Sequence, residues 1–454
     1  MGTALRRISL TALVILVVSS VGVSKAQAKP GAKITTLTVA YQQFGPPPYH
    51  EADWLNRVEQ QLVKANSSIR IKLIPIVASE GDYYTKVDLM MRSSSTAPDL
   101  VREDSFLIGS DVTAGYLAPL DSCLSSWPEY RQQWYSKMQA ITTFQGHNYG
   151  VMNGTDDRLV WYNKHVFQRA GLPTTWQPRS WNAILSAART IKNRVKGVIP
   201  MNLYSGIPAD EASTMQGFEM LLYGTKNKLF DYTTGKWVIS SPGFLSSLNF
   251  VGQVYNSSNL LGPTDDIALT GQVGNIVAQQ LLPKDKLGID IDGSWVSSNW
   301  YPKGAHPWPQ WQTVMGHAEM PTQYGGAPYH VTLSGGWAFS VTSRSGNKAA
   351  ACQLLKALNS RPNLAQYDVE DGQISPRKDV VRVAAYAKVP LNSFYTSLLS
   401  FTQFRPAFPE YARVSNQIDL AMENVMTGMK PKDAMTTYAQ AVTGIVGKSK
   451  TERR

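Results

Sequence analysis

The strongest constraint on the fold is an alternation of strand-like and helix-like segments that begins near residue 34. Ile34 to Tyr41 alternates β-branched and polar residues, apolar residues recur at helical spacing from Trp54 to Val63, and Ile69 to Val77 is again strand-like. A strand, a helix and a strand in this order are typical of a β-α-β unit, whose two strands lie parallel. The pattern therefore predicts an α/β protein built on parallel sheet.

The alternation continues through most of the 454 residues. A chain of this length has room for two or three packed units of about 100–200 residues each, yet no repeat, low-complexity linker or long charge run marks a single boundary between them. Ala97 to Val101 predicts a short buried strand. The further predicted helices are Asp82 to Met91, Trp181 to Ile191 with Ser180 as its N-cap, Lys348 to Leu358 and Asn416 to Met426.

Residues 1–28 have the features of an export signal. Arg6 and Arg7 form a basic start, the run from Ile8 to Val23 is apolar apart from small hydroxyl residues and a glycine, and Ala26 and Ala28 supply the small residues of a cleavage site. We therefore predict an exported protein, periplasmic or extracellular and soluble after cleavage. The apolar run is shorter than the ~20 residues that span a bilayer, and an uncleaved N-terminal anchor is the alternative.

Charge and cysteine content exclude several classes of protein. The formal net charge is +11, but only 17% of the residues are charged, and much of the excess lies near the two ends of the chain. A nucleic-acid-binding protein carries its basic residues as a stripe on the folded surface, and no such cluster is present, so we expect no nucleic-acid partner. Cys123 and Cys352 cannot form a four-cysteine metal site; one disulfide and two buried thiols are both open.

Signatures of the common enzyme classes are absent. The six histidines include no pair at positions i and i+4, and no Gly-x-Ser-x-Gly motif occurs. We therefore expect neither a metal nor a cofactor. Glycoside hydrolysis stays open, because it needs only two Asp or Glu side chains on a sugar cleft. The candidates by loop position are Asp104, Asp156, Asp157, Asp290 and Asp292.

Several short motifs become informative when they are taken together and in order. The first are Ala97-Pro98-Asp99-Leu100-Val101, Gly115 to Asp121, Tyr149-Gly150-Val151, Leu159 to Lys164 and Ala170-Gly171-Leu172-Pro173. The later ones are Asp290 to Trp295, Ala318 to Pro321, Ser334 to Ser340 and Gly372 to Arg377. Over roughly residues 35 to 445 the chain thus resembles extracellular solute-binding protein family 1, the carbohydrate-binding receptors of ABC importers, which include the maltose-binding proteins.

This resemblance implies a two-lobe α/β fold of periplasmic-binding-protein type II, with the ligand cleft between the lobes. The chain of such a protein crosses between the lobes three times, here near residues 154–156, near Tyr329 and near Ser375. The implied N-lobe comprises residues 29–155 and 330–375, and the implied C-lobe comprises residues 156–329 and 376–445. We expect residues 446–454 to form a frayed basic tail.

The resemblance to maltose-binding proteins also implies ligand-binding residues. Asp156 stands in the place of their cleft carboxylate, six residues before the tyrosine of Tyr162-Asn163-Lys164, and Trp295 stands in the place of their stacking tryptophan. A sugar site needs carboxylates or amides for hydroxyl groups and an aromatic plate for the C–H face, so both residue types fit. The other implied contacts are Arg102 and Asp104 after the Pro98-Asp99 pair, Gln43 with Phe44 after the first strand, and Gly335 with Trp337.

The function that the resemblance implies is binding, without catalysis. The protein would be the extracytoplasmic substrate-binding component of an ABC importer, a monomer that takes up a sugar or oligosaccharide and delivers it to the membrane permease. Two alternatives remain: the same fold binding a non-sugar solute such as a polyamine or glycerophosphodiester, and an exported glycoside hydrolase. Which sugar is bound, and how many units it has, is not specified by the sequence.

Overall fold

The computed structural model describes residues 33–43 and 47–454. The predicted export signal and Phe44 lie outside the described residues. Thr35–Arg454 form one structural unit. Among the described residues, none of the helices combines the length and the apolar character needed to cross a bilayer.

The strands of this unit are short, and most have fewer than seven residues. They are β1 (Thr35–Gln43), β2 (Ile69–Val77), β3 (Leu100–Asp104), β4 (Thr143–Phe144), β5 (His147–Asn148), β6 (Gly150–Gly154), β7 (Arg158–Asn163), β8 (Ile199–Asn202), β9 (Phe230–Asp231), β10 (Lys236–Ser240), β11 (Leu287–Gly293), β12 (Met315–Ala318), β13 (Met320–Pro321), β14 (His330–Val331), β15 (Trp337–Val341) and β16 (Thr451–Arg453).

The α-helices surround these strands. They are α1 (His50–Lys64), α2 (Glu80–Met91), α3 (Ile108–Thr113), α4 (Asp121–Ser125), α5 (Pro128–Gln133), α6 (Ser136–Ala140), α7 (Lys164–Arg169), α8 (Trp181–Arg194), α9 (Met220–Leu222), α10 (Pro242–Val254), α11 (Asp265–Ala268), α12 (Val273–Ile276), α13 (Trp311–Val314), α14 (Lys348–Leu358), α15 (Arg361–Asp371), α16 (Ala384–Ala387), α17 (Asn392–Leu398), α18 (Tyr411–Met426) and α19 (Pro431–Val446). The helices predicted from the sequence are confirmed, and Ser180 Oγ caps α8 by accepting the amide of Ala183 at 3.3 Å.

The first lobe is built on a five-stranded sheet with the order β2-β1-β3-β15-β6. Strand β1 is parallel to β2 and β3, as the β-α-β pattern predicts. Strand β15 is antiparallel to β3 and β6, so the sheet is mixed and not parallel throughout. The reason is long-range: β15 belongs to a segment that returns from the second lobe and enters from the opposite end.

The second lobe is built on a four-stranded sheet with the order β12-β7-β11-β8. Strand β11 is parallel to β8 and antiparallel to β7. The chain leaves the first sheet after Gly154 and joins the second at Arg158, without a turn long enough to form a separate linker. It returns to the first sheet at Trp337. Residues that follow the end of one sheet therefore lie directly at the start of the other.

Each lobe has its own apolar core. In the first lobe, Leu37 and Val39 of β1 are buried with Trp54 of α1. In the second, Val160 of β7 and Ile289 of β11 are buried in a separate cluster, which α8, α10 and α18 cover. Each Å² of apolar surface that is buried in these cores stabilises the folded state by about 25 cal/mol. Polar residues lie where the two lobes meet.

Two further features settle questions that the sequence raises. Cys123 and Cys352 form a disulfide with an S–S distance of 2.04 Å, which joins α4 to α14 within the first lobe. The prediction of a frayed tail is wrong, because Thr451–Arg453 form β16, parallel to β10. The edge of β10 offers unpaired backbone groups to the tail, and the side chain of Arg454 pairs with Asp231 and Glu452.

Candidate functional site

A cavity of about 410 Å³ lies where the two lobes face each other. The ends of strands and the loops that follow them supply most of its wall, as is usual for open α/β sheets. The first lobe contributes Gln42, His50, Asp104, Trp337 and Asp371, and the second contributes Tyr204, Gln216, Asp292, Trp295 and Asn299. The wall thus combines indole rings with carboxylates and amides.

Asp156 lies in the crossing between β6 and β7 and is held by both lobes. Its Oδ1 accepts a hydrogen bond from the amide of Gly335 at 2.8 Å. It also forms an ion pair with Arg158, whose Nε donates to Gln216 Oε1 at 3.1 Å. The next carboxylate, Asp157, points away and accepts a bond from Ser334 Oγ at 2.8 Å. Burial raises the pKa of Asp157 well above its usual value.

Trp295 lies in a 3₁₀ helix, Ser294–Trp300, directly after β11. A side-chain carbon at Gly293 would come within 1.9 Å of the indole, so a glycine is required for the ring to pack there. The guanidinium carbon of Arg158 is 4.7 Å from the centroid of the same ring. Arg158 therefore touches both Asp156 and Trp295 and fixes their relative positions.

Asp104 ends β3 and is tied to the second lobe through Arg405. Arg405 Nη2 is 2.6 Å from Asp104 Oδ1, and Arg405 Nη1 is 3.2 Å from Glu211 Oε1. The hydroxyl of Tyr411 donates to Glu211 at 2.5 Å. All three charged side chains are buried, and burial raises the pKa of Glu211 although Arg405 opposes the shift. Removal of one partner from a buried ion pair strongly destabilises the folded protein, because it leaves the other charge buried without compensation.

Trp337 begins β15 and lines the cavity from the first lobe. The guanidinium carbon of Arg102 is 4.8 Å from the centroid of its ring. Arg102 is itself buried, forms an ion pair with Glu51 and donates to the hydroxyl of Tyr367 at 2.6 Å. Arg102 is thus in contact with the indole but does not line the cavity.

The carboxylates of Asp290 and Asp292 lie on the same face of β11, because the two residues are two positions apart. Asp292 lines the cavity, and its Oδ2 accepts a hydrogen bond from the hydroxyl of Tyr204 at 2.6 Å. Burial raises the pKa of Asp292 to about 6. Asp290 accepts a bond from Asn202 at 2.9 Å, and burial together with the charge of Asp292 raises its pKa well above the usual value.

Comparison with known protein families decides the class of this protein. The model of the bacterial extracellular solute-binding protein family matches residues 52–364. The chain belongs to this family. The prediction from the sequence motifs is confirmed.

Solved structures have the same fold as this solute-binding protein. An ABC transporter solute-binding protein from Thermotoga lettingae, bound to α-D-tagatose, has a TM-score of 0.75 at 24% identity, and the match covers 92% of this chain and all of that one. MalE3 of T. maritima, bound to maltose, has a TM-score of 0.76 at 19% identity, covering 90% of this chain and all of that one. The two-lobe periplasmic-binding-protein fold is confirmed.

A protein from Brucella abortus is similar to this chain in sequence. This protein, BAB2_0491, is named only as a binding protein and is 24% identical over 334 residues, which are 73% of this chain and 75% of the relative.

The solute-binding protein brings four of the predicted residues together at the cavity, namely Asp104, Asp156, Trp295 and Trp337. At two other positions a neighbour lines it instead. Gln42 lines the cavity and Gln43 does not, because successive side chains of a strand point to opposite sides. Gly336 lines it, while Gly335 acts through its amide on Asp156.

Arg158 and Arg405 are among the site residues that sequence reasoning missed, and Asp210, Gln216 and Asp371 are others. The sequence offered a signal for Arg158, because it is the one charged residue of strand β7 and stands at the start of that strand. Arg405 carried none, because it lies in an irregular segment between α17 and α18. Among the described residues of the solute-binding protein, no group of three or more His, Cys, Asp or Glu side chains could hold a metal ion.

Proposed function

We propose that this solute-binding protein is the extracytoplasmic substrate-binding component of an ABC importer, which binds a sugar or oligosaccharide between its lobes and delivers it to the membrane permease. The observation that carries the proposal is the composition of the interlobe cavity, which combines two indoles with carboxylates and amides. Proteins of the same fold that bind tagatose and maltose support it.

The chemistry of a saccharide matches this wall. The C–H faces of a sugar ring are apolar and stack on aromatic plates, the role of Trp295 and Trp337 in the proposal. Sugar hydroxyl groups both donate and accept hydrogen bonds. Asp156 and Asp292 accept them, Gln216 supplies an amide, and a bond to a charged carboxylate contributes roughly 1.5–3 kcal/mol.

The two lobes give the proposal its mechanism. We take residues 29–155 with 330–375 as the N-lobe and 156–329 with 376–445 as the C-lobe. A ligand that touches both lobes favours the closed state, since only a difference in affinity between the two states can shift their populations. The permease recognises the closed, loaded monomer outside the cytoplasm.

The other ligand classes are separated by experiment. The purified protein is screened by thermal unfolding against mono-, di- and oligosaccharides, with polyamines, amino acids and glycerophosphodiesters as controls. A ligand at 100 times its dissociation constant stabilises the native state by about 2.7 kcal/mol. A saccharide that stabilises the protein and is recovered intact supports the proposal. A hit only among the controls contradicts sugar binding, and consumption of a saccharide would indicate a glycoside hydrolase.

A further inference from the structure

The interlobe cavity is acidic. Among the described residues its lining holds two guanidinium groups, no lysine and six carboxylates, a net formal charge of −4 when all of them are ionised. The lining therefore has more carboxylates than its own cations can neutralise. The six are Asp104, Asp156, Asp210, Glu211, Asp292 and Asp371.

Both guanidinium groups are already paired within the protein. Arg158 forms an ion pair with Asp156. Arg405 bridges Asp104 and Glu211 across the two lobes. These contacts involve three of the six carboxylates, and among the described residues neither arginine forms an ion pair with the other three.

The other three carboxylates accept hydrogen bonds from neutral groups, and no ion pair reaches them among the described residues. Asp292 accepts the hydroxyl of Tyr204 at 2.6 Å. Asp371 accepts the hydroxyl of Tyr367 at 2.9 Å. Asp210 accepts a backbone amide at 3.3 Å. They come from both lobes, since Asp371 is the last residue of α15 in the first lobe, whereas Asp292 lies in β11 of the second lobe.

Uncompensated charge is costly in such a site. A carboxylate removed from water loses solvation, and a nearby cation restores much of the loss. Burial raises the pKa of both Asp210 and Asp292, although a hydrogen bond from Gly81 to Asp210 and the charge of Arg158 near Asp292 oppose the shift in part. A neutral sugar would leave this deficit in place, an anionic one would enlarge it, and a cationic one would remove part of it.

We propose that the preferred ligand is a saccharide that carries a protonated amino group, and that Asp210, Asp292 and Asp371 bind the ammonium. The inference rests on the proposed function, because it specifies the class of saccharide that occupies the same cavity. A sugar body is favoured over a linear polyamine because the indoles of Trp295 and Trp337 offer flat apolar surfaces that match the C–H faces of a sugar ring.

The test compares three disaccharides that share one β-1,4-linked skeleton. They are cellobiose, the glucosamine dimer with free amines, and the N-acetylglucosamine dimer, whose amines are neutralised by acetylation. Titration calorimetry at neutral pH, above the pKa of about 6 to which burial raises Asp292, measures each affinity, with spermidine as an amine without a sugar ring. The expected result is that the free-amine dimer binds at least about tenfold more tightly than either neutral dimer and loses affinity as salt is added.

A variant locates the effect in the cavity. Asp371→Asn keeps an oxygen that accepts the hydroxyl of Tyr367 but removes the charge, so it should reduce the preference for the free-amine dimer. The matched control is Asp433→Asn, which removes one charge from an exposed residue of α19 outside the cavity lining. The control variant should keep the wild-type preference.

The outcomes separate the inference from the proposed function. Equal or tighter binding of a neutral dimer overturns the inference and leaves sugar binding intact. Binding of spermidine without any dimer overturns both. If none of the dimers binds, the inference is overturned, and sugar binding is then decided by the wider saccharide screen. A preference that survives in Asp371→Asn and Asp292→Asn alike contradicts the assigned carboxylates.

Discussion

At the scale of single residues, the site depends on side chains that hold one another in place. Arg158 is the clearest case, because it pairs with Asp156, donates a hydrogen bond to Gln216 and lies over the ring of Trp295. The candidate ligand contacts therefore do not act independently. A change at Arg158 would displace a carboxylate and an indole together, whereas changes at the contacts themselves can be local.

Trp295→Ala should weaken saccharide binding by at least about tenfold, or about 1.4 kcal/mol, because the stacking surface is lost while the lobe cores remain. Titration calorimetry with the saccharide identified in the screen measures the change. Tyr324→Ala is the control, since Tyr324 is an aromatic residue with 86% of its surface exposed and does not line the cavity. Wild-type affinity in Trp295→Ala would remove this indole from the site.

Ligand affinity should fall as the pH is lowered through about 6, the pKa to which burial raises Asp292. The ionised carboxylate accepts charge-assisted hydrogen bonds and binds cations, and protonation below this pH weakens the hydrogen bonds and removes the attraction to cations. Asp292→Asn should bind more weakly at neutral pH and lose most of this pH dependence. An unchanged pH profile in that variant would show that another group titrates.

Sequence reasoning reached some of these residues and not others for physical reasons. Asp156 and Trp295 stand at fixed distances from local motifs, so a motif places them. The buried pairing of Arg405 with Asp104 joins residues 301 positions apart and exists only after the lobes meet. Which of Gln42 and Gln43 points into the cavity depends on which face of β1 meets the cleft. The local sequence pattern does not reveal that face.

At the scale of elements, an acidic cluster lies where α2, β3 and α3 pack together in the first lobe. Asp111 of α3 is buried, and burial, followed by the charge of Asp88, raises its pKa to about 7. Burial and the charge of Asp111 also raise the pKa of Glu103 well above its usual value. The folded state therefore binds protons here that the unfolded chain would release.

The sign of the pH effect follows from this cluster. Because the pKa of Asp111 is higher in the folded state than in the unfolded state, its contribution to stability is present at low pH and is lost as the pH rises through about 7. Asp111→Asn should reduce the loss of thermal stability between about pH 5 and pH 8 by a few degrees. Thermal unfolding at both pH values measures it, and an identical pH dependence in the variant would contradict the assignment.

Most elements could be predicted because their signals are local. The helices α1, α8 and α14 follow amphipathic patterns, α8 also has a side-chain N-cap, and β1 and β2 follow β-branched alternation. The antiparallel direction of β15 could not be predicted from pattern, since it depends on where the chain returns from the second lobe. The pairing of β16 with β10 could not be predicted for a similar reason, because the two strands lie more than 200 residues apart in the sequence.

At the scale of the whole molecule, the lobes contact each other on both sides of the cavity. Arg405 connects them at one side, and Asp210 accepts the amide of Gly81 at the start of α2 at another. A carboxylate at the start of a helix is favoured by the unpaired amides there. Asp210 holds a φ of 49°, unusual for a residue with a side chain, so part of the contact free energy offsets backbone strain.

Asp210→Ala should shift the protein towards an open form, because it removes the contact to α2 and leaves the strained backbone in place. Small-angle scattering without ligand should give a larger radius of gyration than for the wild type. Addition of saturating saccharide should make the wild type more compact. Closure of the cleft would be contradicted if the variant gave the same scattering profile as the wild type and if saccharide changed neither profile.

The most direct test of the account is a crystal structure of the protein with a saccharide identified by the thermal screen. The saccharide should lie between the lobes, with a ring face on Trp295 or Trp337 and hydrogen bonds to Asp156 or Asp292. A fully occupied saccharide elsewhere on the surface, with the interlobe cavity unchanged, would contradict it.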